Sequence, residues 1–139
     1  MPLARISVPA ALPAGKTRKL ADAVHDGLVA TCNVPLKDRF QLISVFESRC
    51  MIIDRNFPDV NRTSEASIVE ILFLEGRSVA QKTALFQHVA AGAIEAGFVG
   101  DDIMIVLSEN APRDWSLGCG RSYGRNHAPD GSASTGSRQ

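Results

Sequence analysis

Four residues of the chain could together build a small site that moves a proton and holds an anion: Pro2, Asp38, Arg77 and Trp115. Pro2 follows Met1, and a small second residue normally permits removal of the initiator methionine. The exposed secondary amine would then titrate near neutral pH, because a free α-amino group has a pKa of about 7.7–8.0 that desolvation lowers further. Such an amine can act as a general acid or a general base.

Arg77 and Asp38 both lie next to predicted strands. Arg77 follows the third strand and directly precedes a helix, a place where its guanidinium and the helix dipole can together bind a carboxylate. Asp38 directly precedes the second strand, where its carboxylate can position or activate a water molecule. Trp115 can form the wall of a small pocket or pin the C-terminal segment on the core. Taken singly, Asp38 and Arg77 are more typical of surface ion pairs.

The composition excludes several classes of protein. Lys plus Arg and Asp plus Glu both number 15 among 139 residues, so the formal net charge is zero. Nucleic acids and anionic membrane surfaces select basic partners, and no apolar run approaches the roughly 20 residues of a membrane helix. The N-terminus also lacks a signal-peptide pattern. We therefore expect a cytoplasmic protein with neither a nucleic-acid nor a membrane partner.

Nothing in the sequence predicts a metal or another cofactor. The cysteines, Cys32, Cys50 and Cys119, are odd in number and far apart, which predicts free thiols and no zinc site. The glycines near the C-terminus do not form a dinucleotide-binding fingerprint. His25 and His88 lie in the middle of predicted helices without a neighbouring nucleophile or metal ligand. We interpret both histidines as structural or surface residues.

Hydrophobic spacing predicts an alternation of strands and helices. Ser78 with Gln81 three residues later forms a capping-box pattern that begins the second helix, and Gly97 ends it. The other predicted elements are strands over residues 2–8, 39–46, 67–74 and 102–107, a helix over residues 17–30, and a short edge strand over residues 50–53.

This order predicts an α/β fold (α+β in some schemes) built from two β-α-β repeats, at about residues 2–47 and 67–108. The repeats would form a four-stranded sheet with both helices on one face. The third strand is apolar on both faces and needs cover on both, which two helices cannot supply, so we predict a homo-oligomer. A C-terminal hairpin would complete a single domain over residues 1–125, and the small polar residues of 126–139 predict a disordered tail.

The combined pattern resembles the tautomerase superfamily, within it the malonate semialdehyde decarboxylase-like branch. The matching features keep their order and spacing from Pro2 to about Gly124. They are Met1-Pro2-Leu3, the run Val34-Pro35-Leu36-Lys37-Asp38-Arg39-Phe40-Gln41, Asn61-Arg62-Thr63, Arg77 with Lys82, and Asp114-Trp115-Ser116-Leu117-Gly118.

The resemblance implies a homotrimer whose cofactor-free active sites act on small oxo acids. In such enzymes the amino-terminal proline, here Pro2, moves a proton, and an arginine matching Arg77 holds the substrate carboxylate. An aspartate matching Asp38 takes part in decarboxylation or hydration. Trp115 and Leu117 would line the pocket. Keto–enol tautomerisation and malonate semialdehyde-type decarboxylation or hydration are the reactions implied.

One position departs from the decarboxylase pattern. That pattern has two arginines two residues apart at the strand end, but here Glu75 precedes Arg77. A carboxylate repels an anionic substrate, so the orientation that drives loss of CO2 is weakened. Arg49 or an arginine of a neighbouring subunit could substitute. Glu75 also motivates the alternative hypothesis, a non-catalytic trimeric binding or interaction protein that keeps the fold.

Overall fold

The computed structural model describes residues 1–125, which fall into two compact units, Met1–Glu109 and a second that begins at Asn110. The prediction of a single domain over residues 1–125 stays a prediction, and the predicted tail at 126–139 lies outside the described residues. The main elements are β1 (Pro2–Pro9), α1 (Ala14–Thr31), β2 (Gln41–Phe46), β3 (Ser67–Leu74), α2 (Val79–Glu95) and β4 (Ile103–Asn110).

The four strands form one sheet in the order β2-β1-β3-β4. β1 pairs parallel with β2, with Ala4 opposite Gln41, and antiparallel with β3, with Pro2 opposite Phe73. This confirms the predicted fold class of two β-α-β repeats joined in a four-stranded sheet. Because β1 and β3 run in opposite directions, the end of β3 lies beside the start of β1.

Both helices cover the same face of this sheet. Alternate residues of β1 and β3 are buried, as expected where successive side chains point to opposite faces. The opposite face carries half-buried or exposed side chains, including Leu3, Arg5 and Leu72. The core between helices and sheet consists mainly of Ala4, Ile6, Val8, Leu20, Val24, Leu28, Val69, Ile71, Phe73, Leu85, Val89 and Ala93.

The two helices pack closely because glycine lies at their contact. A Cβ atom built on Gly92 of α2 would lie 2.7 Å from the Cβ of Ala23 on α1. A Cβ on Gly27 of α1 would lie 3.1 Å from Val89 and 3.2 Å from Leu85. Side chains at either glycine would therefore push the helices apart, so this contact sets the helix spacing over the sheet.

Several predicted element boundaries differ from the structure. The first helix begins at Ala14 rather than 17. Its N-cap residue, Pro13, makes no side-chain capping hydrogen bond, so the usual sequence signal for a helix start is missing there. β2 begins at Gln41 rather than 39, since the Arg39 amide donates to the Lys37 carbonyl in a turn. The predicted edge strand at 50–53 is wrong. Ser48–Cys50 forms a 3-10 turn there, and residues 51–53 pair with no strand among residues 1–125.

Other boundaries agree more closely with the sequence. β3 spans the predicted residues, and β4 extends to Asn110 rather than ending at 107. The capping box of α2 is present, with the Ser78 hydroxyl accepting from the Gln81 amide and the Gln81 side chain accepting from the Ser78 amide. Neither helix within residues 1–125 has the length and apolarity needed to cross a membrane.

The second unit is built from turns. Pro112–Asp114 forms a 3-10 turn, which the Asp114 carboxylate closes by accepting from the Ala111 amide at 2.9 Å. An isolated antiparallel bridge joins Ser116 to Ser122. The predicted C-terminal hairpin is thus reduced to one bridge.

Candidate active site

The amino terminus lies at the start of an inner strand of the sheet. Pro2 is the first residue of β1, is buried, and sits opposite Phe73 of β3. Phe73 is itself fully buried. A proline tolerates the first position of a strand, because its missing N–H leaves no ladder hydrogen bond unmade there. The chain therefore presents the peptide bond between Met1 and Pro2 at the edge of the core.

The carboxylate of Asp38 faces this terminus. Its Oδ2 lies 3.3 Å from the amino group of Met1, and the two side chains are only 8% and 12% exposed. The other carboxylate oxygen, Oδ1, is buried and accepts no hydrogen bond within the described residues. A buried carboxylate oxygen without a donor is costly, since such groups are nearly always hydrogen-bonded. Asp38 can accordingly accept a hydrogen bond from a bound molecule.

A tight segment between α1 and β2 carries Asp38. The chain leaves α1 through Asn33, whose φ of 56° is left-handed, a conformation that asparagine tolerates better than most residues. The Val34 side chain is buried in the core, and the Asp38 amide donates to the Pro35 carbonyl at 3.0 Å. The Phe40 carbonyl then accepts a hydrogen bond from the Ala4 amide at 3.0 Å, which joins the segment to β1.

Arg77 follows β3 at the same end of the sheet. Its Nη1 donates to the Leu74 carbonyl at 2.8 Å, its Nη2 donates to the Cys32 carbonyl at 3.3 Å, and its guanidinium lies over the Phe73 ring. Arginine has five N–H donors, so donors remain for a ligand. Phe73 is thus both the strand partner of Pro2 and the ring under the guanidinium of Arg77.

Arg77 lies beyond the end of a strand that runs antiparallel to β1. β3 is antiparallel to β1, so its end meets the start of β1 instead of the end. Glu75, two residues before Arg77, is exposed, and Gly76 between them has a φ of 115° that favours glycine.

Trp115 and Leu117 lie in the second unit. Trp115 is half-buried and its indole N–H donates to the Asn110 side chain, while its carbonyl accepts from the Tyr123 amide at 2.9 Å. Leu117 is 50% exposed. Their assignment to the pocket stays a prediction. Pro2, Asp38 and Arg77, in contrast, belong to one unit and lie at one end of its sheet.

A cluster of charges surrounds the base of the Asp38 segment. Arg39 donates from Nη2 to Asp22 on α1 at 2.7 Å, and this hydrogen bond holds the pKa of the Asp22 carboxyl below its ordinary value of 3.8. Partial burial opposes that effect, and a further hydrogen bond from Arg18 adds to it. Arg39 also donates from Nε to the Gln41 side chain at 3.0 Å.

Sequence reasoning missed one residue near the site. His25 is 4% exposed, and its Nε2 lies 2.8 Å from the Leu36 carbonyl, two residues before Asp38. The sequence signal available was a histidine among apolar positions of a helix, which is equally typical of a structural role. Within residues 1–125, no three His, Cys, Asp or Glu side chains come together to hold a metal ion.

Two β-α-β repeats in one sheet, with the amino terminus at the start of an inner strand, agree with the fold that the resemblance to the tautomerase superfamily implies. The chain belongs to the tautomerase enzyme family, whose model matches residues 38–118, more than half of the chain. Within the superfamily it lies in the malonate semialdehyde decarboxylase-like branch.

Individual relatives support this placement. The chain is 32% identical to the probable tautomerase YusQ of Bacillus subtilis (strain 168) over 106 residues, which is 76% of this chain and 84% of that protein. It is 30% identical to the crystallised FG41 malonate semialdehyde decarboxylase inhibited by 3-bromopropiolate, with a TM-score of 0.84 over 89% of this chain and 95% of that one. A symmetric trimer of fused wild-type 4-OT shares the fold, with a TM-score of 0.74, 19% identity, and coverage of 91% and 99%.

Proposed function

We propose that the protein is a cofactor-independent enzyme that uses the amino group of Pro2 as an acid or base on small oxo acids. The observation that carries this proposal is the buried amino terminus with the Asp38 carboxylate 3.3 Å from the terminal nitrogen. Removal of Met1 would take that nitrogen away and expose the secondary amine of Pro2, the adjoining residue, which then pairs with Asp38 in this proposal. A carboxylate beside an amine favours the protonated form of the amine.

The three residues take separate roles in this proposal. Pro2 transfers the proton, and Asp38 orients the amine or a water molecule through its free oxygen. Arg77 binds the substrate carboxylate with the N–H groups that its two backbone carbonyl contacts leave free, and stabilises negative charge that develops on the substrate.

The reaction depends on the protonation state of Pro2. A neutral amine removes a proton and returns it, which is tautomerisation. A protonated amine instead polarises the 3-oxo group of malonate semialdehyde, and decarboxylation follows while Arg77 holds the carboxylate. Asp38 would activate water for hydration. The similarity to malonate semialdehyde decarboxylase supports decarboxylation by a protonated Pro2. Glu75 opposes it, because its negative charge repels an anionic substrate.

We further propose that the enzyme is a cytoplasmic homotrimer. The open face of the sheet carries exposed apolar side chains, among them Met104 and Val106 of β4. Exposed apolar surface of this kind marks a contact with another protein. The trimeric assembly of the fused 4-OT protein supports the same number of subunits.

The deciding experiment compares the wild type with Pro2→Ala and Arg77→Ala on an enol oxo acid and, separately, on malonate semialdehyde. We expect both variants to lose most of the activity on whichever compound is the substrate. Mass spectrometry of the purified chain checks that Met1 is absent. Retention of Met1, or equal rates for all three proteins, would contradict the enzyme and favour the non-catalytic trimeric binding protein that Glu75 suggests.

A matched variant separates the two reactions. Glu75→Arg should raise kcat/KM for malonate semialdehyde, because an arginine there would attract the substrate carboxylate where the glutamate repels it. Glu75→Gln removes the repulsion alone and should give a smaller increase. No increase with either variant would exclude decarboxylation of malonate semialdehyde as the activity that Glu75 limits.

A further inference from the structure

The segment that carries Asp38 is fastened along one edge of α1. The Leu28 carbonyl accepts from the Val34 amide at 3.4 Å, and the Ala21 carbonyl accepts from the Gln41 side chain at 2.8 Å. Between these contacts lie the bonds that His25 and Asp22 make. Positions 21, 22, 25 and 28 share one helix edge, because residues three and four apart are neighbours on a helix surface. The segment therefore runs back along α1, with contacts at both of its ends and in its middle.

His25 supplies the middle contact. Its Nε2 lies 2.8 Å from the Leu36 carbonyl oxygen, and a carbonyl oxygen only accepts, so Nε2 carries the proton. The side chain is 4% exposed, among the apolar residues of the core. A buried imidazole is costly there unless it is hydrogen-bonded. The contact with Leu36 satisfies it.

Asp38 lies between two anchors of unlike chemistry. The Leu36 carbonyl, two residues before it, is held by His25, and the Arg39 side chain, directly after it, is held by Asp22 at 2.7 Å. The Leu36 side chain is itself 72% exposed and gives the segment little apolar anchorage. The position of the Asp38 carboxylate relative to the amino terminus thus depends on hydrogen bonds to α1.

We propose that His25 is a positioning residue of the active site, whose imidazole N–H holds the Leu36 carbonyl and thereby fixes Asp38 beside the amino-terminal amine. This inference rests on the proposed roles of Pro2 and Asp38. His25 touches neither substrate nor Pro2 in this scheme and acts only through the backbone of residues 36–38. Displacement of a reacting or orienting group by about 1 Å can cost on the order of a hundredfold in rate.

The test uses two amide variants of similar polarity. Glutamine places its Nε2 near the position of the histidine Nε2, whereas the shorter asparagine cannot reach Leu36. We expect His25→Gln to keep kcat close to the wild-type value and His25→Asn to lower kcat by about ten- to a hundredfold with little change in KM. His25→Leu fills the volume without a hydrogen-bond donor and should behave like His25→Asn. If the leucine variant does not fold, the comparison of His25→Gln with His25→Asn still tests the proposal.

A second readout reports on Asp38 directly and needs no turnover. NMR titration of ¹⁵N-proline-labelled protein measures the pH at which the Pro2 amine loses its proton. Loss of the Asp38 charge should lower that pH in Asp38→Asn, and displacement of Asp38 should lower it in His25→Asn but not in His25→Gln. In the Asp38→Asn background, His25→Asn should then produce no further shift.

The two proposals fail in different ways. An inactive wild type whose Pro2 amine responds to His25→Asn as expected would contradict the enzyme proposal and leave the positioning role intact. An active enzyme in which His25→Asn and His25→Gln have equal kcat values, and equal Pro2 titrations, would overturn the role of His25. A purely structural histidine predicts that second outcome, with a change in stability alone.

Discussion

The amino group of Met1 and the carboxylate of Asp38 lie 3.3 Å apart, with both side chains at least 88% buried. The two residues are brought together by the sheet, because Asp38 precedes β2 and β2 pairs parallel with β1 from Ala4 onward. After removal of Met1, we expect the same carboxylate to pair with the amine of Pro2, the adjoining residue. This pairing of charges motivates the first prediction.

Asp38→Asn should lower kcat/KM by about a hundredfold and move the pH–rate profile. A carboxylate beside a protonated amine stabilises it through their opposite charges, so we expect Pro2 to lose its proton at lower pH in this variant. The limb of the profile that reports Pro2 should therefore shift toward acid. Asp26→Asn, on the exposed side of α1, is the matched control and should leave the profile unchanged. A shift toward alkaline pH would contradict the ion pair.

We expect Arg77 both to bind the substrate and to stabilise the fold. Arg77→Ala should raise KM for an oxo acid, with a loss in kcat/KM of about 30- to 1000-fold, since a charge-assisted, paired hydrogen bond to the substrate is removed. Arg77→Lys keeps the positive charge but lacks the paired N–H donors of a guanidinium. Its kcat/KM should therefore lie between those of the wild type and Arg77→Ala. Steady-state kinetics measure both.

Loss of the Arg77 contacts to the Leu74 and Cys32 carbonyls should also lower the free energy of unfolding, by about 1–3 kcal/mol. Denaturation by urea measures this effect separately from KM. Arg55→Ala, an exposed arginine without a side-chain hydrogen bond among the contacts described, serves as the control. If Arg77→Ala and Arg55→Ala had equal KM values, Arg77 would stabilise the fold without binding the substrate.

The close contact between α1 and α2 predicts an unusual response to alanine. Gly92→Ala places a Cβ 2.7 Å from the Cβ of Ala23, and neither atom can turn away. Overpacking of this kind costs about 1–3 kcal/mol, which exceeds the roughly 1 kcal/mol that alanine gains over glycine in a helix. Thermal and urea unfolding at a fixed protein concentration should show a net loss of stability.

Gly15→Ala is the counterpart for this prediction. Gly15 is also helical, but a Cβ there meets nothing within 4 Å. The variant should be neutral or slightly more stable, by up to about 1 kcal/mol. If Gly92→Ala were as stable as Gly15→Ala, the helix spacing would not be set by this contact.

The Asp22–Arg39 pair predicts a specific acid sensitivity. The pKa of Asp22 lies below 3.8 in the folded chain, so the pair's stabilisation is fully present above that value and is lost as the pH falls through the folded-state pKa. The effect is small, because the Asp22 side chain is 45% exposed. Urea unfolding at pH 5 and pH 3 measures it.

Variants of the two arginines separate their contributions. Arg39→Gln should reduce the loss of stability between pH 5 and pH 3 more than Arg18→Gln, because the Arg39 hydrogen bond is the largest cause of the lowered pKa of Asp22. A larger effect of Arg18→Gln would show that the exposed i,i+4 pair dominates instead.

The local elements of the fold were predictable because their signals are local. Alternating apolar residues over Ser67–Leu74 define β3, and the Ser78–Gln81 capping box begins α2 where it was expected. The first helix was placed three residues late because Pro13 caps it without a side-chain acceptor. The predicted edge strand at 50–53 does not form, because no neighbouring strand in the described part of the chain offers it hydrogen bonds. No local sequence pattern reveals whether such a partner strand exists.

By itself the sequence determined the residue types of the proposed site and the repeat that must carry them: a proline at position 2, an aspartate before β2 and an arginine after β3. Only the tertiary structure decided how they meet. The antiparallel pairing of β1 with β3 brings the end of one strand to the start of the other, so that Pro2 and Arg77 flank Phe73. His25 acquires its place in the same way, because its hydrogen bond to Leu36 depends on how the chain turns back along α1.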